Sequence, residues 1–415
     1  MTLSEELQWR GFVNQTTLKD ISALDTQSWT FYHGFDASAD SQAIGNLAAM
    51  MFDKVFMRHG HKAVLLAGGA TSLIGDPGGK DTERPLQSVD VIEHNVQCAE
   101  VQLKKIFRGY DFVLVNNYDW YKDMQVLTFL RDIGKHFSMT PLVQRDYIAK
   151  RMGEGGGGIS YTEFSYTLLQ GYDFLRLHQD HGVNLQLAGS DQWGNSLSGV
   201  DLVRKVTGDE VHVLTVPLII NKATGKKFGK SEEGAVWLDP AKTTPTQFYQ
   251  FWINIDDAGV EGYLKVYTEL TKADVDEIIT RHKAAPQERW AQKRLAQEAT
   301  KIVHGDEEMT IAETVTEILT GKQPISAATE QVLSAVRKEI NAAQASEDTP
   351  LTEVLVAAGL AKSNSEARQL ISSNAVYVNG QVATGQQLQA SDFQNGRLLL
   401  RKGKILKNTA LIERA

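Results

Sequence analysis

The chain of 415 residues is 42% hydrophobic and 23% charged, proportions ordinary for globular protein and sufficient for two or three domain cores. Its single cysteine, Cys98, excludes an intrachain disulfide and a cysteine-based zinc site, which suits a reducing cytoplasm. A net charge of −8 argues against non-specific nucleic-acid binding, and no apolar run approaches the ~20 residues of a membrane span. The acidic, amphipathic start "MTLSEELQWRGF" is not the basic-then-apolar pattern of a secretion signal. Charge is uneven, since residues 351–415 hold eight Lys/Arg against four Asp/Glu and so carry +4 on a body of −12. A small basic tail on an acidic body predicts contact with a polyanion.

From Thr30 to about Ile220, strand-like runs alternate with helical ones. "SWTFYHGF" precedes "SQAIGNLAAMMFDKVFMRHG", whose apolar residues recur at helical spacing and whose helix is expected to start at Ser41. "KAVLLAGGA", "VIEHNVQCAEVQLKKIF" and "FVLVNNYDW" repeat the alternation, as do "NLQLAGS", "WGNSLSGVDLVRKVTG" and "VHVLTVPLII". The pattern predicts a mainly parallel sheet with helices on both faces and ligands beyond the C-terminal strand ends. The polar, glycine-bearing stretches "AGGATSLIGDPGGK", "NNYDW" and "AGSDQWGN" fall at those ends. "MGEGGGGIS" (Met152–Ser160) is too rich in glycine for regular structure and reads as a mobile surface loop. Residues 246–340 read as helical throughout, "NAAQASEDTP" (341–350) as a linker, and residues 351–415 as two small helices followed by strands.

"KATGKKFGKS" (Lys222–Ser231) suggests phosphate handling but is not a P-loop. Gly225 and Gly229 enclose three residues where that motif needs four, and the loop runs not into a helix but into "SEEGAVWLDP", broken by Gly234 and Pro240. What remains is a lysine-bearing loop able to neutralise charge on a leaving pyrophosphate. "TEFSYTLLQGYDFLRL" sets Tyr166, Gln170 and Asp173 at i, i+4 and i+7, a polar stripe on one helix face. Gln186, Asp191 and Gln192 cluster at a strand end.

Together, "YHGFDASADSQAIGNL", "GGATSLIGDPGGK", "NNYDWY", "TEFSYTLLQGYDF", "QLAGSDQWGN" and "KKFGKS" resemble, in order and spacing, the bacterial tyrosyl-tRNA synthetases of class I, from about Gly11 to Leu411. The resemblance implies a Rossmann-like catalytic domain (1–220), a KFGKS loop and connector (221–245), a helical anticodon-region domain (246–340), a linker (341–350) and a small α+β RNA-binding domain (351–415). It implies a cytoplasmic homodimer that joins L-tyrosine to tRNA(Tyr), with ATP entering with Mg²⁺, no protein-held metal, no membrane and no DNA. By position, Tyr32 and Asp173 look like the phenol binders, and Asp76, Tyr166 and Gln170 like the ammonium binders. Gln192, supported by Gln186, would lie beside the carboxylate, with Asp36, Ser38, Gly45 and Asp191 around ATP. Lys80, Arg84, Lys227, Lys230 and Ser231 match the groups acting on pyrophosphate, Lys230 also touching ATP, while Arg204, Lys205, Arg401, Lys402, Lys404 and Lys407 would meet tRNA.

One departure is plain. The family's HIGH-type signature reads Ala43-Ile44-Gly45-Asn46, without either histidine. Asn46 retains an amide donor for a phosphate oxygen and is assigned to catalysis, whereas Ala43 retains nothing. His33, His59 and His61 stand outside the motif and read as packing or surface residues. The lost histidines leave open a paralogue that activates tyrosine or an analogue without charging tRNA. A non-catalytic RNA-binding protein on the same scaffold is the other alternative.

Overall fold

The computed structural model describes residues 1–76, 86–153, 155–220, 228, 230–231, 234–403 and 408–415, with the backbone alone at 146, 147, 230 and 231. The chain divides into two compact units, Met1–Lys242 with Asp256–Ala291, and Thr243–Ile255 with Gln292–Ala415.

The first unit is built on five parallel strands: β1 (Thr30–Asp36), β2 (Lys62–Gly68), β3 (Phe112–Asn116), β4 (Leu185–Gly189) and β5 (His212–Val216). Their order is β3-β2-β1-β4-β5, so the chain reverses direction across the sheet between β1 and β4, where such sheets open a crevice at their C-terminal ends. Side chains alternate along β1. Phe31 packs on Phe56 of α2 (Ile44–Arg58), with ring centroids 5.4 Å apart. Tyr32 points to the other face and meets Phe174 at 5.0 Å. β2, "KAVLLAG", is buried from its second residue to its last, as a central strand covered on both faces should be.

Helix α2 begins at Ile44 rather than Ser41, because Gln42 and Ala43 are drawn into strand-like pairing with residues 236–238. Ile44 N–H donates to the Val236 carbonyl (2.9 Å) and Leu238 N–H to that of Gln42 (2.9 Å). Ala43 at the N-cap offers no side-chain oxygen, so the helix is capped from within, Asn46 Oδ1 accepting the Ala43 N–H at 3.1 Å. Between β2 and β3 lie α3 (Gly69–Ile74) and α4 (Val89–Ile106), followed between β3 and β5 by α5 (Tyr161–His181) and α6 (Trp193–Thr207).

Beyond Met152, the described residues of the glycine-rich stretch before α5 have no regular structure, as expected, and the stretch is anchored at its end. Arg151 Nε donates to the Gly158 carbonyl (2.8 Å), and its two terminal nitrogens grip both oxygens of Glu163 at 2.7 and 2.8 Å. Both side chains are buried, and Glu163 also completes the capping box with Ser160 that starts α5. Residues 256–291, expected within one continuous helical domain, pack in this unit instead. The Arg10 guanidinium donates to the carbonyls of Lys265, Thr268 and Leu270 as well as to Glu6.

The second unit combines helices such as Pro245–Ile253, Asp306–Leu319 and Glu330–Glu339 with a mixed sheet. Its strands are β8 (Asn341–Ala345), β9 (Val376–Val378), β10 (Gln381–Val382), β11 (Arg397–Lys402) and β12 (Thr409–Arg414), in the order β10-β9-β11-β12-β8. β6 (Lys230–Ser231) and β7 (Gly234–Ala235) form a separate antiparallel pair in the first unit. The expected linker is thus corrected over 341–345, which pair in parallel with β12. Four of those five residues are at least partly exposed, so apolar alternation gave no sign of an edge strand. Leu411 of β12 sits in one core with Val315, Ile318 and Val336 of the helices, so helices and sheet share packing in place of a break.

Candidate active site

The crevice between β1 and β4 is lined by side chains that regular structure holds in place. Tyr32 and Gln186 are register partners on the two strands, and Asp173 lies one turn beyond Gln170 on α5. All of Tyr32, Asp173 and Gln186 are buried, at 1%, 1% and 3% exposure. Two donors converge on the Asp173 carboxylate, Asn117 Nδ2 on one oxygen and Trp120 Nε1 on the other, both at 3.0 Å. Asn117 is itself fixed, accepting the Ala70 N–H at 2.7 Å and donating to Thr71 Oγ1 at 3.0 Å. Gly69 makes room for the neighbouring Asn116 side chain, since a Cβ there would lie 2.3 Å from Asn116 Oδ1.

Burial raises the Asp173 carboxyl to about 7, against the opposing pull of Asn117, Trp120 and Tyr121. Burial, and then the neighbouring Asp173, push the Tyr32 phenol well above its usual range. The Tyr32 hydroxyl and the side-chain oxygens of Gln170 and Gln186 are buried without a hydrogen-bond partner among the described residues. Buried orphans are costly, of order 1–3 kcal/mol each, unless a ligand completes them. A hydroxyl, a carboxylate and two amide oxygens form an acceptor-rich set, whose complement is a ligand rich in donors, such as a phenol bearing an ammonium group.

Beside this pocket Gln192 Nε2 donates to Asp76 Oδ2 at 2.6 Å, and its own oxygen accepts from Asn195 Nδ2 at 3.2 Å. Tyr166 shares the α5 face of Gln170 and Asp173 by spacing and is half-buried. At the end of β1, Asp36 accepts from the Ser38 N–H (3.0 Å), Ser38 Oγ (3.1 Å) and Ser72 Oγ (2.8 Å), which ties the turn after β1 to α3. Asp191 folds back over Gly189, where a Cβ would come within 2.5 Å of its carboxylate.

The N-terminus of α2 faces the same crevice end. Gly45, second in the helix, has no intrahelical acceptor for its N–H, which suits an anion. The Phe228 carbonyl lies 3.9 Å from where a Gly45 Cβ would stand, and the Phe228 ring stacks on Tyr263 at 4.4 Å. Phe228, within the KFGKS motif, thereby lies against this helix end, and β6 carries Lys230 and Ser231. Lys80, Arg84, Lys227, Lys404 and Lys407 lie outside the described residues. Among the described residues no group of three or more His, Cys, Asp or Glu is disposed to hold a metal.

The three histidines outside the signature serve the fold. His33 Nδ1 and Asp53 Oδ1 form a buried pair at 2.8 Å, His59 meets Glu6 at 2.8 Å, and His61 accepts the Trp29 N–H at 3.2 Å. Of the cations expected to meet RNA, Arg204 is paired with Asp201 (2.7 Å) and Lys205 donates to the His136 carbonyl (2.8 Å). Arg401 lies over the Tyr377 ring at 5.1 Å and Lys402 is paired with Glu366 at 2.7 Å. Asn117, Trp120 and Thr71 had no role assigned from sequence, although "NNYDW" stood out at its strand end.

The profile of the class I tRNA synthetases (W and Y) matches residues 24–320, and that of the tyrosine–tRNA ligase SYY-like C-terminal domain matches residues 331–411. The chain is 43% identical over 424 residues to tyrosine–tRNA ligase 2 of Bacillus cereus, covering 100% of this chain and 99% of that protein. Tyrosine–tRNA ligase of Geobacillus kaustophilus is 43% identical over 414 residues, 97% of this chain and 98% of its own. In fold, a C-terminally truncated mitochondrial tyrosyl-tRNA synthetase of Aspergillus nidulans superposes with a TM-score of 0.69 at 28% identity, covering 76% of this chain and 93% of that one.

Proposed function

Because the chain belongs to the tyrosine–tRNA ligases, class I tRNA synthetases, we propose that its residues divide the ligase reaction between a phenol end and a phosphate end of one crevice. The enzyme activates L-tyrosine with ATP and transfers the tyrosyl group to tRNA(Tyr). One observation carries the tyrosine reading: the buried Tyr32 hydroxyl, without a partner among the described residues, beside an Asp173 carboxylate aimed by Asn117 and Trp120. A phenol hydroxyl donates to Asp173 and accepts from Tyr32. Phenylalanine would leave the Tyr32 hydroxyl unpaired and the Asp173 carboxylate one donor short, at ~1–3 kcal/mol each.

Asp76, Tyr166 and Gln170 take the α-ammonium group, and Gln192, backed by Gln186, lies beside the carboxylate. That carboxylate attacks the α-phosphorus of ATP, forming the adenylate C–O–P linkage as the bond to pyrophosphate breaks. Asp36, Ser38, Gly45 and Asp191 surround the nucleotide. Lys80, Arg84, Lys227, Lys230 and Ser231 act on the charge growing on pyrophosphate, with Asn46 Nδ2 adding one donor. ATP enters as its magnesium complex. The 3′-terminal adenosine hydroxyl then attacks the tyrosyl carbonyl and releases AMP. Positioning and electrostatics supply the catalysis, and no protein nucleophile is required.

The basic C-terminal stretch supports tRNA contact through Arg401, Lys402, Lys404 and Lys407, with Arg204 and Lys205 on the first unit. A homodimer is supported by the exposed apolar side chains Val126, Leu127, Leu130, Met139, Met152 and Tyr161 in one stretch of chain. A cytoplasmic location fits the lone cysteine, and no helix among the described residues is long and apolar enough to cross a membrane. The missing signature histidines favour one other reading, activation without charging. Tyrosine-dependent ATP–pyrophosphate exchange, run beside charging of tRNA(Tyr), separates the two. Both activities are expected, exchange alone would support the non-charging paralogue, and neither would refute the enzyme reading.

A further inference from the structure

A chain of hydrogen bonds runs behind the tyrosine pocket from a cation to a carboxylate. Arg145, before α5 in sequence, lays its guanidinium against the first turn of α6, where a Cβ on Gly194 would stand 3.5 Å from Nε. Its Nη1 donates to Thr167 Oγ1 at 3.0 Å and to Asn195 Oδ1 at 3.3 Å, and its Nη2 donates to Ser198 Oγ at 2.5 Å. Thr167 Oγ1 in turn donates to Asn195 Oδ1 at 2.8 Å. Asn195 Nδ2 then donates to Gln192 Oε1, and Gln192 Nε2 to Asp76 Oδ2. Thr167, Asn195 and Ser198 are all buried.

The direction of this chain is determined at both ends. A guanidinium only donates, so the Asn195 atom facing it must be oxygen. An ionised carboxylate only accepts, so the Gln192 atom facing Asp76 must be nitrogen. The two amides in between have two possible orientations each, and only one combination satisfies both ends. Removing the cation frees Asn195 to rotate, after which Gln192 can turn its oxygen toward Asp76, set two acceptors together and displace the carboxylate.

We propose that Arg145 is a positioning residue for tyrosine binding, acting through Thr167, Asn195 and Gln192 to fix the Asp76 carboxylate for the substrate's ammonium group. The inference rests on the tyrosine reading above and adds to it a residue outside the pocket. The test is pyrophosphate exchange by full-length Arg145→Met and Arg145→Lys, with thermal melting of each. Tyrosine KM should rise about tenfold in Arg145→Met, consistent with loss of a charge-assisted hydrogen bond, with kcat and ATP KM little changed. Arg145→Lys, which keeps a donor, should recover part of the loss. Inhibition by tyramine, which has the ammonium group, should weaken in parallel, whereas 3-(4-hydroxyphenyl)propionate, which lacks it, should inhibit as before. An active parent with unchanged tyrosine KM in Arg145→Met overturns the relay alone, as does equal weakening of both analogues or of ATP. Should Arg145→Met fail to fold, Arg145→Lys decides by the same analogue ratio. A parent with no tyrosine-dependent exchange overturns the tyrosine reading and the relay with it.

Discussion

The two ends of the crevice are built by opposite means. At the phenol end Tyr32, Gln186 and Asp173 sit on strands or a long helix and are buried, and Asn117 and Trp120 aim the Asp173 carboxylate. At the phosphate end the α2 N-terminus has lost the signature histidines, and Asn46 spends its oxygen on capping its own helix. The contrast follows from what each end must do. Discriminating one hydroxyl needs a fixed, water-free geometry, whereas neutralising a leaving pyrophosphate needs donors that several residues can share. Loss of a histidine is therefore expected to be shared out at one end, whereas loss of Asp173 at the other is expected to fall directly on selectivity.

The largest effect is expected where the rigid end is anchored. Arg151 and Glu163 form a buried bidentate pair at the start of the helix bearing Tyr166, Gln170 and Asp173. Arg151→Ala leaves the Glu163 carboxylate buried without its cation, and denaturant unfolding should show a loss of about 3–5 kcal/mol. A loss under about 1 kcal/mol would mean that this end is not held as described.

A second effect follows from Asp173. Its carboxyl is raised to about 7, so burial favours the neutral form, and its contribution to stability is fully present below the unfolded value near 3.8 and is lost as pH rises through about 7. Tyrosine's hydroxyl donates to the ionised form and offsets that loss. The thermal shift produced by tyrosine should therefore grow from about pH 6 to about pH 8, with affinity changing up to about tenfold per unit below about 7. A shift independent of pH would contradict the assignment.

At the phosphate end, Asn46→Ala removes both the internal cap and the spare donor. It should cost about 1 kcal/mol of stability and slow adenylate formation in single-turnover measurements, with tyrosine affinity unchanged. Ala43→Ser restores a side-chain cap and should raise the melting temperature of Asn46→Ala without restoring its rate. A full rate in Asn46→Ala would leave the signature position catalytically idle. Smallest of all, replacing Arg401 and Lys402 with Gln should flatten the salt dependence of tRNA binding by about one unit of log–log slope for each phosphate no longer neutralised. An unchanged slope would remove those two from the RNA surface.

How far the sequence foretold this follows the range of each signal. The α5 stripe is local, three side chains at helical spacing, and the strand–helix alternation foretold the parallel sheet. The partners of Asp173 could not be assigned, because Asn117 and Trp120 reach it from the end of β3, two strands away from β1. The relay from Arg145 likewise joins four segments, Arg145, α5, the start of α6 and Asp76 after α3, that only the folded chain brings together. β8 was hidden by its exposure and its small alanine side chains, and the start of α2 by a pairing with residues 236–238 that no local pattern announces. In the glycine-rich stretch, composition gave no sign that Arg151 donates to the Gly158 carbonyl.

The central claim, that the buried pair at the phenol end reads a hydroxyl, is tested most directly by the ratio of kcat/KM for tyrosine to that for phenylalanine in pyrophosphate exchange. Tyr32→Phe combined with Asp173→Asn should narrow that ratio by ~1–3 kcal/mol for each lost partner, with ATP KM little changed. A ratio equal to that of the parent would contradict the account.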